Sequence, residues 1–201
     1  MWMMELEELA ANPLTQFEKW FEDAIAGGEI LPEAMALATS SLDSIPSVRM
    51  VLFKGIRDGG FEFFTNLASR KSREMQSNPN AAAVFWWQRS KRQLRLEGRV
   101  EMLDPARTEQ YFRTRPRGSQ IGAWASRQSH IISDRKELED QVRIFENKYK
   151  GQEIPCPRFW GGFRLIPSIM EFWQERENRL HDRIRYRCEE DGSWIVERLA
   201  P

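Results

Sequence analysis

Strict alternation of side-chain character over residues 93–103 constrains the fold of this chain more than any other feature of its sequence. Every second position is apolar or glycine: Leu94, Leu96, Gly98, Val100 and Met102. Positions 95, 97, 99 and 101, which lie between them, are all charged. Because successive side chains of a β-strand point to opposite faces, this pattern predicts a strand with one buried and one solvated face.

Further short segments of apolar or alternating character are separated by residues that favour turns. They predict strands over residues 35–41, 47–56, 60–65, 82–88, 161–165, 168–174, 184–189 and 194–199. Asp58-Gly59-Gly60, between two of them, is typical of a tight hairpin. Strands joined by hairpins pair antiparallel, and closing their sheet removes its exposed edges. We therefore predict an α+β, mainly β fold: an antiparallel barrel with peripheral helices.

Five helices are predicted around these strands. Apolar spacing over residues 14–25 predicts an amphipathic helix with Thr15 and Glu18 as a capping box, ended by Gly27-Gly28. Asp104-Pro105 predicts the start of a helix that runs to about residue 114. Weaker signals predict helices over residues 69–76, 119–126 and 133–150.

The length of 201 residues suits one domain. We predict a short N-terminal arm or disordered terminus over residues 1–12 and a single domain over residues 13–201. No apolar run reaches the ~18–20 residues of a membrane-spanning helix, and the acidic N-terminus does not resemble a signal peptide. Two cysteines, Cys156 and Cys188, are too few for a disulfide scaffold. We expect a cytoplasmic protein that does not contact membranes.

The formal net charge is zero, but the charge is distributed unevenly. Residues 1–48 contain nine acidic residues and one basic residue, whereas the rest contains 21 acidic and 29 basic residues. Of the 30 basic residues, 23 are arginine. The planar arginine side chain binds phosphate and carboxylate groups through two hydrogen bonds, so this excess indicates an anionic partner. Composition alone does not distinguish a nucleic acid from a small phosphorylated ligand.

Several common catalytic and binding motifs are absent from the sequence. It contains no dinucleotide-binding Gly-x-Gly-x-x-Gly, no Walker-type phosphate loop and no Gly-x-Ser-x-Gly nucleophile motif. The two histidines, His130 and His181, have no metal-ligand spacing with the cysteines. We therefore predict no metal site.

Two basic segments near the middle of the chain are candidate phosphate sites. Residues 49–54 are predicted as a strand with Arg49 and Lys54 at its ends, which would face opposite sides. Arg70 and Lys71 follow a predicted strand and enter a helix, where free backbone N–H groups favour anions. The alternatives are solvated strand ends in the first case and an ordinary helix cap in the second.

Two later segments also concentrate cations. Tyr111 and Arg115 are four residues apart on a predicted helix, and Ser119 begins the next helix, an arrangement that suits either a phosphate or a nucleic acid. Arg179, His181 and Arg183 alternate and are predicted on one strand face, with Asp182 opposite. Such a cluster is costly unless it is solvated or paired with an anion.

Seven segments of the chain together resemble the pyridoxine (pyridoxamine) 5′-phosphate oxidase family. They are residues 49–54 (RMVLFK), 64–71 (FTNLASRK), 115–129 (RPRGSQIGAWASRQS), 159–163 (FWGGF), 172–174 (FWQ), 179–183 (RLHDR) and 198–201 (RLAP). The resemblance begins near residue 12 and covers about nine-tenths of the chain. Each segment is weakly specific, and their order along the chain gives the match its strength.

The resemblance implies a split β-barrel that works as a homodimer with FMN at the interface. It implies FMN contacts from Arg49, Met50, Val51, Leu52, Phe53, Lys54, Phe64, Thr65, Arg70, Lys71, Gln93, Gln128, Ser129, Trp173 and Arg183. Among these, Arg49, Arg70 and Lys71 would bind the FMN phosphate, and Arg183 would face the flavin.

The resemblance also implies a substrate site. Its residues would be Lys54, Tyr111, Arg115, Ser119, Arg179, Leu180 and His181, the first four around the substrate phosphate. Arg179 and His181 would be catalytic. The implied reaction converts pyridoxine 5′-phosphate or pyridoxamine 5′-phosphate to pyridoxal 5′-phosphate by hydride transfer from C4′ to flavin N5, with O2 as acceptor and H2O2 as product.

Three features depart from the family pattern: a short acidic N-terminus, Leu31 where aspartate is common, and Glu175 where glycine is common. They affect the expected lid over the substrate and the expected substrate affinity. One alternative is another split-barrel flavin or deazaflavin reductase with a different substrate. A second alternative is a non-catalytic binder of nucleic acid or pyridoxal phosphate; the leading interpretation expects no nucleic-acid partner.

Overall fold

The computed structural model describes residues 9–201, which form nine strands and five α-helices. The helices are α1 (Pro13–Ala26), α2 (Arg70–Ser77), α3 (Pro105–Thr114), α4 (Arg117–Ala125) and α5 (Arg135–Lys148). The strands are β1 (Ala34–Ser40), β2 (Pro46–Leu52), β3 (Ile56–Arg57), β4 (Gly60–Asn66), β5 (Asn80–Trp87), β6 (Arg92–Met102), β7 (Trp160–Gln174), β8 (Asp182–Cys188) and β9 (Trp194–Arg198). Among residues 9–201 no helix is long and apolar enough to cross a membrane.

All strand pairs are antiparallel, in the order β2-β1-β5-β6-β7-β4-β3, and β8 and β9 extend the sheet from β7. The segment after β2 closes the barrel, because the Lys54 N–H donates to the Glu62 carbonyl (2.8 Å) and the Glu62 N–H donates to the Gly55 carbonyl (2.9 Å). The prediction of one strand over residues 47–56 is therefore wrong: β2 ends at Leu52, and Lys54 lies beyond it. The chain leaves its pairing with β1 after β2 and then hydrogen-bonds with β4. Gly55, at φ 121°, permits this change of direction.

The strand over residues 93–103 is confirmed as β6, whose long partner β7 was predicted as two strands. That division is wrong, since β7 continues through Pro167 with a single register shift opposite Glu97 and Gly98. Gly98 is required there, because a Cβ atom would lie 2.0 Å from the Ile166 carbonyl oxygen. Met102 does not belong to the buried face: its side chain is 55% exposed at the end of the strand.

Helix α1 packs on the barrel and contributes Phe17 and Trp20 to a largely aromatic core. The predicted capping box at Thr15 and Glu18 is wrong. The N-cap is Asn12, three residues earlier: its side chain accepts a hydrogen bond from the Leu14 N–H (2.8 Å), and Pro13 occupies the first turn.

Part of the predicted arm also packs on the barrel, and residues 1–8 lie outside the described residues. The Tyr186 hydroxyl donates to the Ala10 carbonyl at 2.8 Å, and Leu9 packs against the core. Burial raises the pKa of Tyr186 to about 12, so this hydroxyl stays protonated and remains a donor at neutral pH.

Helices α3, α4 and α5 form a second apolar cluster beside the joined ends of β4 and β7. Its buried members are Phe112, Ile121, Tyr149, Ile154 and Trp160. The predicted cap at Asp104 is confirmed, since its carboxylate accepts from the Ala106 N–H at 2.7 Å. Helices α4 and α5 lie within two residues of their predicted bounds. This cluster holds α3 and α4 over one end of the barrel, where it creates a cavity.

Candidate active site

A cavity of about 550 Å³ lies between the end of β4 and the break between α3 and α4. Its lining residues include all four that the sequence suggested for a substrate phosphate: Lys54, Tyr111, Arg115 and Ser119. Phe64, Thr65, Leu52 and Gln128 also line it, and they come from the set suggested for FMN. The closure of the barrel after β2 brings Lys54 here, and the helix break before Pro116 brings Arg115 and Ser119.

Arg115 is the most informative residue of this cavity. Its Nη1 atom is buried and has no hydrogen-bond partner among the described residues. The guanidinium lies 4.8 Å from the centre of the Trp160 ring. Burial lowers the pKa of Arg115 from its ordinary value, although an arginine remains charged at neutral pH. A buried cation with an unused donor is costly by itself, and this arrangement fits an anion bound in the cavity.

Aromatic rings form the wall of the cavity beside Arg115. The Phe64 ring is nearly parallel to the rings of Tyr111, at 4.1 Å between centroids, and Trp160, at 5.5 Å, and those two rings are 6.1 Å from each other. Burial raises the pKa of Tyr111, which keeps its hydroxyl a hydrogen-bond donor. The Arg107 guanidinium lies over the Phe64 ring, 5.9 Å from its centroid, and forms an ion pair with buried Glu62 at 2.5 Å. The ion pair with Glu62 therefore fixes the cation that lies against the Phe64 ring.

Lys71 joins this cavity to a second cationic group. Its ammonium donates to Thr65 Oγ1 and to Gln128 Oε1, both at 3.0 Å, and Thr65 and Gln128 line the cavity. Burial, together with the positive charge of Arg49, lowers the pKa of Lys71 to about 8. A nearby phosphate would remove this destabilisation of the charged form. Ser129 contacts the residue before Lys71: its hydroxyl accepts a hydrogen bond from the backbone N–H of Arg70 at 3.2 Å.

Arg49 and Arg70 lie on either side of one carboxylate, Glu74. Arg49 donates to Glu74 Oε2 at 3.2 Å, and Arg70 Nε donates to Oε1 at 2.7 Å. Arg49 also donates to the Leu37 carbonyl and to the hydroxyls of Thr39 and Ser47, which leaves its Nε–H as the one donor group without a partner in residues 9–201. Arg49 therefore supplies mainly charge to this group, whereas Arg70 retains both terminal nitrogens for a ligand.

The rest of the segment 49–54 contributes in two ways. Val51 and Phe53 are buried in the barrel core, so only their backbone can reach a ligand. Met50 and Leu52 are 62% and 41% exposed on the outer face of β2. Val48, 67% exposed, extends the same apolar row.

The remaining suggested residues lie at the far end of β7. Gln93 pairs with Trp173, and Trp173 pairs with Arg183 across adjacent strands. Arg183 forms a paired hydrogen bond with buried Glu171 at 2.8 and 3.2 Å and donates to the Ala200 carbonyl at 2.9 Å. Hydrogen bonding to Glu171 raises the pKa of Arg183. The C-terminal Leu-Ala-Pro is thereby fixed beside Arg183.

Arg179, His181 and Arg183 do not alternate on one strand, and that prediction is wrong. Strand β8 begins only at Asp182. Arg179 lies instead in a tight turn in which the Leu180 N–H donates to the Glu177 carbonyl (3.1 Å), with φ values of 54° at Asn178 and 61° at Arg179. Left-handed residues without a glycine are strained, and such strain is common where a functional side chain must be presented. Leu180 is 68% exposed beside it.

His181 has one ring nitrogen committed to the backbone. The Arg176 N–H donates to His181 Nδ1 at 3.1 Å, and the ring lies 4.5 Å from the Trp173 ring. A nitrogen that accepts an N–H hydrogen bond carries no proton of its own, so the neutral imidazole bears its hydrogen on Nε2. Nε2 is then the ring nitrogen that can donate a hydrogen bond to a ligand.

The structure does not bring these two groups together within one chain. Thr65 pairs with Gly161 near the start of β7, whereas Trp173 lies near its end. Twelve residues of extended chain correspond to about 40 Å along the strand. The cavity group and the Trp173 group thus lie at opposite ends of β7.

Sequence reasoning missed several residues of the site. Glu74 was visible only as a residue four positions after Arg70, a spacing that permits an ion pair on a helix. Glu171 lies on the face of β7 that carries Trp173. Its buried carboxylate pairs with Arg183, and the sequence did not indicate this pairing. Trp160 was noted only within a motif. Among the described residues there is no cluster of three or more His, Cys, Asp or Glu side chains suited to a metal.

Comparisons with known proteins give two family matches and a set of named relatives. Residues 21–148 match the family described as pyridoxamine 5′-phosphate oxidase, and residues 160–201 match the pyridoxine 5′-phosphate oxidase C-terminal dimerisation region. The chain is 50% identical to a pyridoxine/pyridoxamine 5′-phosphate oxidase of Nostoc sp. over 96% of this chain and 91% of the relative. It is 48% identical to the protein of that name from Bordetella pertussis, over 97% of this chain and 92% of the relative.

Two solved structures share the fold. PhzG from Burkholderia lata, in complex with tetrahydrophenazine-1-carboxylic acid, superposes with a TM-score of 0.93 at 29% identity, covering 100% of this chain and 98% of that one. A pyridoxamine 5′-phosphate oxidase-related, FMN-binding protein from Nostoc punctiforme has a TM-score of 0.75 at 15% identity, covering 96% and 99%. The second likeness confirms the predicted split-barrel architecture.

Proposed function

This chain belongs to the pyridoxamine 5′-phosphate oxidase family, and we propose that it oxidises pyridoxine 5′-phosphate and pyridoxamine 5′-phosphate to pyridoxal 5′-phosphate. The observation that carries the proposal is the buried Nη1 of Arg115, which has no partner in residues 9–201, in a cavity that Lys54, Tyr111 and Ser119 also line. Bound FMN would supply the redox chemistry, accepting a hydride from the substrate and passing its electrons to O2, with H2O2 as product.

The cavity residues have the chemistry to bind a substrate phosphate. Arg115 and Lys54 supply positive charge, and the hydroxyls of Tyr111 and Ser119 supply neutral donors. The stack of Phe64 on Tyr111 fixes the direction from which the Tyr111 hydroxyl enters the cavity. Binding the phosphate here would anchor the substrate, so that its reacting carbon is positioned by groups outside this chain's own cavity.

The second cationic group has the chemistry to bind the phosphate of FMN. Arg70 has two unoccupied terminal nitrogens within residues 9–201, Lys71 has an ammonium destabilised by burial, and Arg49 adds charge. The Ser129 hydroxyl, which accepts from the Arg70 amide, can donate its own hydrogen to an anion. Thr65 and Gln128 connect this group to the substrate cavity, so both ligands would be adjacent.

A homodimer would complete the site. Trp173 lies at the end of β7 opposite to the residue that pairs with Thr65, with Gln93 on β6 and Arg183 on β8 beside it, and a second copy can supply this group to the Lys71 site. The exposed apolar row of Val48, Met50 and Leu52 on β2 is a surface that such a copy would cover. The match of residues 160–201 to a dimerisation region supports this assembly.

Arg179 and His181 would then approach the substrate ring from the second copy. The strained turn presents the Arg179 guanidinium outward, where it can orient the ring and favour developing negative charge. The Arg176 amide keeps His181 as an Nε2–H donor, so His181 would donate a hydrogen bond rather than accept a proton at Nδ1. This arrangement explains why the site contains no paired nucleophile and base.

The proposal is tested by mixing purified protein with pyridoxine 5′-phosphate in air. We expect a protein-bound flavin spectrum and formation of pyridoxal 5′-phosphate and H2O2 in equal amounts. Pyridoxine without its phosphate should react far more slowly, because Arg115 and Lys54 would lack their anion. A flavin-loaded protein that reacts with neither phosphorylated substrate, but whose flavin is reduced rapidly by a nicotinamide cofactor, would contradict the proposal and favour the reductase alternative.

A further inference from the structure

A carboxylate lies in the middle of the cationic group that we assign to the FMN phosphate. Glu74, on α2, is only 8% exposed and accepts hydrogen bonds from two arginines through different oxygens. Oε1 accepts from Arg70 Nε at 2.7 Å, and Oε2 accepts from Arg49 Nη2 at 3.2 Å. A negative charge beside a phosphate site weakens anion binding unless it serves another purpose.

The carboxylate is itself rigidly held. Oε2 accepts from the hydroxyls of Thr39 at 2.5 Å and Ser47 at 2.6 Å, which lie on the paired strands β1 and β2. Burial alone would raise the pKa of Glu74, but the hydrogen bonds from Ser47, Thr39 and Arg70 outweigh it and lower the pKa to about 2. Glu74 is therefore charged at every pH at which the protein works, and its position is fixed by the barrel.

This contact determines which edge of the Arg70 guanidinium is available. An arginine can bind an anion through its Nε edge or through its two terminal nitrogens. Because Glu74 occupies Nε, the pair of terminal nitrogens is left, and neither has a hydrogen-bond partner in residues 9–201. The Arg70 side chain is 57% exposed and would otherwise sample many rotamers.

The charges also balance. Arg49, Arg70 and Lys71 contribute three positive charges, and Glu74 reduces their sum to +2, which matches a phosphate dianion. Burial and the charge of Arg49 already lower the pKa of Lys71, and without Glu74 the repulsion between Arg49 and Lys71 would be closer to unopposed.

We propose that Glu74 is a positioning residue of the FMN-phosphate site: it fixes Arg49 and orients Arg70 so that its terminal nitrogens face the phosphate. The proposal rests on the FMN site in the proposed function. It predicts that an anionic residue next to the phosphate strengthens phosphate binding, which is the opposite of its direct electrostatic effect.

The test measures the affinity of the apoprotein for FMN and for riboflavin, which lacks the phosphate, by quenching of flavin fluorescence. Glu74→Gln keeps the size of the side chain and removes the charge, and Glu74→Asp keeps the charge and withdraws it by one methylene. We expect both variants to bind FMN about tenfold more weakly and riboflavin with unchanged affinity. The matched control is Glu101→Gln on β6, which breaks the ion pair with Arg164 on β7 and should change neither affinity.

Arg70→Lys tests the same ion pair from its exposed partner. Arg70 is exposed, so this variant should fold, and it retains the charge while losing the Nε contact and the paired terminal nitrogens. It should weaken FMN binding to a similar extent, and adding Glu74→Gln to it should cause little further loss because both changes break one unit.

Each contrary outcome identifies what is wrong. Tighter or unchanged FMN binding by Glu74→Gln would overturn the positioning role and leave the proposed function intact. Equal losses for FMN and riboflavin would also overturn it, since they indicate general damage rather than a phosphate-specific effect. Failure of the unaltered protein to bind FMN would overturn the proposed function together with this inference.

Discussion

Replacing Arg115 with methionine should separate substrate binding from stability. Arg115→Met keeps much of the apolar length of the side chain and removes a buried cation whose Nη1 has no partner in the described chain. A charge-assisted hydrogen bond to a ligand contributes about 1.5–3 kcal/mol, which corresponds to a loss of about 10- to 150-fold in affinity. We therefore expect the KM for pyridoxine 5′-phosphate to rise by that factor while FMN affinity is unchanged.

The same substitution should not destabilise the free protein. A buried polar group without a partner costs about 1–3 kcal/mol, whereas the contact of the guanidinium with the Trp160 ring returns about 0.5–2 kcal/mol. Because these effects nearly cancel, the free energy of unfolding should stay within about 1 kcal/mol of the original value or increase. Most substitutions at partly buried positions decrease it, so this result would be distinctive.

The assay combines steady-state kinetics with thermal unfolding of the substrate-free, FMN-loaded protein. The control variant is Arg113→Met, two residues earlier on α3, where the exposed guanidinium pairs only with Glu109 in the described chain. It should leave both KM and stability close to the original values. A marked loss of stability in Arg115→Met with no change in KM would refute the reasoning, because Arg115 would then be a structural residue.

Three further predictions concern other parts of the site. Lys71 loses its proton as the pH rises through about 8, so FMN affinity measured by fluorescence should fall between pH 7 and pH 9, whereas Lys71→Arg, which stays charged, should give a flat profile; equal slopes would refute the assignment of Lys71. His181→Gln can place a donor near the position of Nε2 and should retain about tenfold more kcat/KM than His181→Asn, and the reverse order would contradict the Nε2–H form. Met50→Glu introduces charge into the exposed apolar row of β2 and should shift the protein to monomers in sedimentation experiments, with loss of bound FMN; a stable, flavin-loaded dimer would place the interface elsewhere.

Local sequence patterns predicted the strands and helices well, because alternation, helical spacing and capping residues act over a few residues. The hairpin at Asp58-Gly59 is an example: both residues have positive φ values, 48° and 76°, as the sequence indicates for a two-residue hairpin turn. The strand pattern predicted an antiparallel barrel, and its split-barrel class, which the family resemblance implied, is also confirmed. The turns, strands and helices require no knowledge of distant contacts.

The errors arose where distant contacts decide the outcome. Strand β2 ends at Leu52 because the next residues hydrogen-bond to Glu62 on β4, which no local pattern reveals. The sequence Arg179-Leu180-His181 alternates like a strand, but the turn at Asn178, a residue that tolerates positive φ, interrupts it. Glu74 has no distinctive neighbours in sequence, and its role depends on hydroxyls of Thr39 and Ser47 brought to it by the barrel.

The central claim is that one site binds FMN beside a phosphorylated pyridine substrate, which is most directly tested by anaerobic absorbance measurements on the flavin-loaded protein. Addition of pyridoxamine 5′-phosphate should bleach the visible flavin band, and admission of air should restore it. The same addition to Arg115→Met should bleach the band only at much higher substrate concentration. A flavin band that persists with saturating pyridoxamine 5′-phosphate, in protein that holds FMN, would contradict the account.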